Sequence, residues 1–128
     1  MGLVLLILVQ GKDAEVLEKA GAVAEQACEL DPDLRIEAEK EARALVKKHE
    51  APVFRLGQSS KEERRIPAQI VMTLAGKFPA EKLFAQPDSR ARQVACDLLP
   101  EPEKFGAELV ALIHEKNVGL RLAACRAL

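Results

Sequence analysis

The chain has no tryptophan and no tyrosine, and its four aromatic residues are all phenylalanine. That scarcity removes the aromatic enrichment expected of strands and leaves no material for an aromatic-lined ligand pocket. An excess of one charge is also missing. With 19 basic and 20 acidic residues the net charge is −1, so there is no electrostatic case for nucleic acid as the main ligand. The apolar run at residues 3–9 (L-V-L-L-I-L-V) is too short to span a bilayer. It lacks the basic flank and small-residue cleavage site of a signal peptide, and Leu6 stands where a lipidation signal beginning at Gly2 requires Ser or Thr.

Cysteine is sparse: Cys28, Cys96 and Cys125 are an odd number at wide spacing, with no C-x-x-C and no histidine at zinc-ligand distance. They read as reduced, buried, small apolar residues of a cytoplasmic protein. Catalytic motifs fail on inspection. His114-Glu115 opens like a zinc-protease helix, but Val118 occupies the place of the second histidine. Gly57 to Lys61 resembles a nucleophile elbow with Lys61 where glycine is needed, and no phosphate-binding glycine loop is present. His49 and His114 fall at helix ends, where imidazole serves exposed carbonyls and the dipole. The sequence therefore supplies no catalytic residue, no metal ligand and no cofactor site, and the expectation is a protein that is not an enzyme.

What the chain does have is Ala, Leu and Val. It is 48% hydrophobic and 30% charged over 128 residues, the usage of closely packed helices in a single domain. An arginine followed three residues later by alanine recurs at Arg35/Ala38, Arg65/Ala68, Arg92/Ala95 and Arg121/Ala124, in steps of 30, 27 and 29 residues. A period of that size is the mark of a helical repeat array whose units bury their apolar faces against neighbours. Cys96 and Cys125 each lie four residues after their arginine and so share one core position.

Taken in order, the spacing predicts a helix from an Asp13 cap to about Leu30. A second, opened by Asp31-Pro32, ends near His49. Residues 50–60 lapse into a loop or a degenerate helix. A capping box at Ser60 and Glu63 opens the next helix, with Pro67 either kinking it or marking its true start. A short helix covers residues 79–85. Asp88 opens a long one that Pro100 stops, Glu101-Pro102 starts another running to His114 or Glu115, and Asn117 caps the last. Residues 3–9 fit either a helical turn or a short buried strand, and the helical context favours the former.

Those units resemble HEAT-like repeats of the short kind found in phycobilisome-lyase-type proteins. Asp88, Arg92, Ala95, Cys96, Leu99 and Asn117, Arg121, Ala124, Cys125, Leu128 are the best copies, and Asp31, Arg35, Ala38 a third. The second unit departs from the pattern at Lys61 and Pro67. The resemblance implies an all-α fold, a right-handed α-solenoid of about four HEAT-like hairpins. The units fall near residues 13–49, 50–78, 79–100 and 101–128, behind an apolar segment at 1–12. Cap and arginine lie on one helix face, so Arg35, Arg65, Arg92 and Arg121 read as a structural ladder inside the stack, against the sharper reading of an arginine row for an acidic partner.

The functional expectation is an interaction scaffold for a protein or peptide partner. Phe54, Arg55 and Gln58 of the irregular second unit are the candidate contact residues, with the groove lined by second helices as the alternative site. Two further functions follow from the resemblance alone: handling a bilin chromophore, or HEAT-type binding of nucleic acid. Both ends carry apolar residues, 3–9 at one and Leu120, Leu122 and Leu128 at the other. Either the array continues beyond this sequence or it self-associates through these ends, with residues 3–9 folding back as an improvised cap in the second case.

Overall fold

The structure, a computed structural model, describes the backbone of residues 2–128 and the side chains of residues 13–128. Among these it is entirely helical, without strands. Helix α1 spans Gly2–Ala27, α2 Pro32–Gly57, α3 Glu62–Leu74, α4 Ala80–Phe84, α5 Ser89–Leu98, α6 Gly106–Leu112 and α7 Val118–Ala127; a 3-10 turn at Pro102–Phe105 leads into α6. No helix of the described residues is long and apolar enough to cross a membrane. The backbone of residues 3–9 belongs to α1, while their side chains, and with them the idea that this run folds back as a cap, lie outside the described residues.

Local chemistry explains most boundaries. Asp31 accepts the Asp33 N–H at 2.9 Å and Pro32 follows at the first helical position, where its missing donor costs nothing. The Asp88 carboxylate takes the N–H groups of Arg90 and Ala91 (2.9 and 3.1 Å), and the Asn117 side chain takes that of Leu120 (3.0 Å). At the end of α3, Gly76 adopts φ +77°, the Gly76 N–H reaches the Thr73 carbonyl and the Lys77 N–H the Met72 carbonyl. That paired closure needs a left-handed residue, which glycine supplies without strain.

Three expectations are corrected, and of the two readings of residues 50–60 the helical one holds for most of the stretch. Asp13 is no cap: α1 runs through it, because Gly11 costs about 1 kcal/mol in a helix interior and that does not stop a run of strong helix formers. Its carboxylate instead pairs with Arg55 at 3.1 Å. Residues 51–57 are helical, a continuation of α2 beyond a break at His49 (φ −133°, ψ 46°). Pro52 causes the break, since its ring crowds the Lys48 carbonyl and offers it no donor; past the break it stands in the first turn of the resumed helix. The third helix begins at Glu62, with Lys61 rather than Ser60 as its cap residue and Pro67 inside it. Finally, the stretch after Pro102 divides: Phe105 leaves helical geometry (φ −116°, ψ 23°) and its ring meets Phe84 edge-on at 5.3 Å.

Helix α3 sits at the centre. Every residue from Ile66 to Thr73 is buried, as a helix enclosed on all sides must be, and it touches α1, α2, α4 and α5. Beyond it α5 packs on α7, α4 on α5, and α6 on α7. The alanine three residues after each repeat arginine, Ala38, Ala68, Ala95 and Ala124, is fully buried in all four helices.

A buried amide ties the first helix to the last. Gln93 of α5 donates through Nε2 to the Cys28 carbonyl at the end of α1 (2.9 Å), while Gly119 of α7 lies so close that a Cβ there would sit 2.7 Å from Gln93 Oε1. Alanine at an exposed helical site gains up to about 1 kcal/mol over glycine. At Gly119 it would displace an amide whose bond, once broken, leaves a buried carbonyl unpaired at a cost of about 1–3 kcal/mol. Gly119→Ala is therefore expected to destabilise the protein to urea, and the same change in a Gln93→Ala background to be neutral or stabilising. Additive effects in that double-mutant cycle would contradict the linkage.

Candidate partner-binding surface

The three residues singled out for recognition do not form one patch. Phe54 and Gln58, one helical turn apart, lie on a shared face, with Phe54 39% exposed. Arg55, about 100° around the helix, folds onto Asp13 of α1. The segment carrying them is firmly seated. Gln69 of α3 donates to the Gly57 carbonyl at 3.0 Å, and a Cβ at Gly57 would collide with Met72 Cε. Phe54 thus projects from a fixed helical turn.

The alternative site is a groove lined by second helices, and a cleft does lie beside α2, lined by α1 as well. Ala27, Leu74, Val94 and Leu98 line a cleft of about 340 Å³ between α1, α2, α3 and α5, together with Arg35, Glu39 and Asp97. Ile36, 54% exposed, stands on its α2 wall. A lining of apolar and charged side chains suits the apolar face of a helix or an extended peptide.

All four repeat arginines are half-buried, but they divide into two pairs. Arg35 Nη1 points to the carbonyls of Glu29 and Leu30 (both 3.5 Å), and Arg65 Nη1 to those of Ser59 and Ser60 (both 3.4 Å). In each case the acceptors lie six and five residues upstream, on the turn that precedes the arginine's own helix. Arg92 and Arg121 make no such bond among the described residues, and Arg92 Nε is sealed from water without an acceptor. None of the four pairs with the acidic or amide residue capping its helix; Asp88 is paired with Arg90 instead (3.6 Å). The inter-helix ion pair of this region was not legible as a motif: Arg126 of α7 grips Asp97 of α5 through Nε and Nη2 (3.1 and 3.0 Å). Its signal was the 29-residue separation, equal to the local repeat step.

The cysteines separate as well. Cys96 is buried and Cys28 half-buried, but Cys125 is exposed, which corrects the expectation that all three lie in the core. Nothing among the described residues packs on that side of α7. Burial pushes the Cys28 thiol up to about 12, against the opposing pull of Arg90. Burial, reinforced by Asp97, lifts Cys96 to about 11. No three His, Cys, Asp or Glu side chains among the described residues converge as a metal-ligand set.

These thiols predict both reactivity and alkaline stability. At pH 8, one thiol per chain should react rapidly with an aromatic disulfide reagent, and Cys125→Ser should abolish that phase; three equally fast thiols would contradict the assignment. Both buried thiols have folded pKa values above the ordinary 9.0. The stability they contribute is then fully present below pH 9 and lost as pH rises through 11 to 12. Over that window Cys96→Ala should show a shallower fall in unfolding free energy than the parent protein, and an identical slope would count against burial of the thiol. Comparison of the chain with family models, with curated proteins and with solved structures finds no match.

Proposed function

We propose that the chain is a non-enzymatic interaction module: a right-handed, HEAT-like solenoid of helical hairpins that binds a protein or peptide partner on its helical surface. The observation that carries this reading is the burial of equivalent positions. Four and seven residues after the repeat arginine, α3 buries Gln69 and Met72, and α5 buries Cys96 and Leu99. In α7 the same positions, Cys125 and Leu128, are exposed, Leu128 by 62%. A stack in which each unit covers the last produces this pattern, because the final described helix lacks a covering neighbour. Val118 and Leu122 extend the uncovered stripe along α7, and self-association, if it occurs, would use that face.

Two surfaces are offered to a partner: the groove beside Ile36, and the helical turn bearing Phe54 and Gln58, with Arg55 at its flank. Rigid scaffolds concentrate binding energy in a few large side chains. With the full chain as bait and cross-linking in a native lysate, Ile36→Lys or the double change Phe54→Ala/Arg55→Ala should reduce capture of a specific partner about tenfold. Thermal unfolding should remain near that of the parent, because Ile36, Phe54 and Arg55 are exposed. A partner retained equally by both variants would reject these surfaces, and the absence of any specific partner would reject the function.

A further inference from the structure

Arg92, like Arg121, departs from Arg35 and Arg65, and of the four it lies beside a cleft that its missing acceptors also line. Arg35 and Arg65 spend their guanidinium groups on carbonyls six and five residues upstream. For Arg92 the corresponding residues are Gln86 and Pro87, which take no bond from it; together with Arg92 they line a cleft of about 350 Å³ between α4, α5 and the start of α6. That volume lies within the range of small-ligand sites, roughly 300–1,000 Å³. Its walls are Phe84, Phe105 and Leu112, and the two rings brace each other edge-on, which corrects the expectation that a chain without Trp and Tyr lacks material for an aromatic-lined pocket. Glu81 from α4 and Glu108 from α6, both exposed, also line the cleft. The cleft thus combines an apolar wall, a half-buried guanidinium that makes no side-chain hydrogen bond among the described residues and two exposed carboxylates.

The charges decide what fits. An anionic ligand drawn to Arg92 would face both glutamates, so the acceptor that Arg92 takes must be neutral and the ligand's charge positive. A peptide backbone carbonyl beside a Lys or Arg side chain meets both conditions, and the Phe wall accepts an apolar neighbour. We propose that this cleft binds a basic, apolar-flanked peptide segment of the partner: a backbone carbonyl accepts from Arg92, an apolar side chain lies against Phe105 and Leu112, and a basic side chain lies between Glu81 and Glu108. The proposal rests on the reading of the chain as a partner-binding module and assigns that reading a second surface, apart from Ile36 and Phe54.

The test uses the full chain and two fluorescein-labelled synthetic peptides, one of Leu, Gly and Lys, the other with Glu in place of Lys, followed by anisotropy. The basic peptide is expected to bind at least about tenfold more tightly than the acidic one. Glu81→Lys/Glu108→Lys, at two exposed positions that do not threaten folding, should abolish that preference. A control pair with the same charge change, Glu37→Lys/Glu41→Lys, should preserve it. Arg92→Leu should weaken the basic peptide by about tenfold or more, as expected for a lost bond to a charged donor, with Arg92→Lys in between. No binding of either peptide at about 1 mM, a preference untouched by the Glu81/Glu108 reversal, or an equal loss in the control pair would overturn the site. The lysate experiment with Ile36 and Phe54 variants reports separately on the partner-binding reading, so one can fail while the other stands.

Discussion

The rest of the structure depends on how closely its helices can approach one another, and four alanines set that distance. Ala38, Ala68, Ala95 and Ala124 are wholly enclosed, each three residues after its arginine. A methyl group there fills its space, and any larger side chain would have to push neighbouring backbones apart in an interior packed to crystal-like density. Close approach then determines the neighbours of the remaining positions. The α5/α7 contact brings Asp97 beside Arg126, each five residues after an arginine of the recurring arginine–alanine pattern. It also buries Cys96, whereas Cys125 remains exposed.

Short helices multiply a second constraint, the carbonyls left over at each C-terminus. Here many are met by backbone N–H groups of the turn that follows, as after α3, α4 and α6, and several carbonyls of the α1–α2 and α2–α3 region by long side chains. Gln93 serves the end of α1, Gln69 the end of α2, Arg35 the α1–α2 turn and Arg65 the turn into α3. The two glutamines reach across from another helix, so satisfying a helix end there also docks one helix on another, whereas the two arginines tie their own helix to the turn before it. Gln93 shows the consequence most clearly: its amide joins residues 65 apart in sequence while resting against the Gly119 backbone of α7. Arg92 lacks this employment, and the cleft around it is where the pattern is interrupted.

The sequence was readable wherever one residue's chemistry decided the outcome locally. The caps at Asp31, Asp88 and Asn117, the stop before Pro100 and the all-helical class needed no tertiary information. Errors arose where a local signal met a stronger neighbour. Asp13 has a capping side chain but follows a strongly helical run, and the helix expected to end near His49 breaks there, ahead of Pro52, only to resume as far as Gly57. Ser60 gave way as a cap because Ser59 receives the Lys61 N–H and the Ser59 and Ser60 carbonyls face Arg65. The candidate surface was less legible. Phe54, Arg55 and Gln58 are close in sequence but helical geometry separates Arg55 from the other two, while the clefts beside Ile36 and Arg92 are each assembled from several elements. No spacing rule reports such convergence.

Packing of α5 against α7 one repeat period apart is the central structural claim, and the Asp97–Arg126 pair addresses it most directly. Asp97→Arg and Arg126→Asp each place like charges in contact, and combining them restores an opposite-charge pair in reversed order. If the helices lie in that register, each single change lowers the unfolding free energy and the swapped protein regains most of the loss, with a coupling of about 0.5–1 kcal/mol for a partly exposed bidentate pair. A swapped protein whose deficit equals the sum of the two single changes would contradict the register and the stacked arrangement built on it.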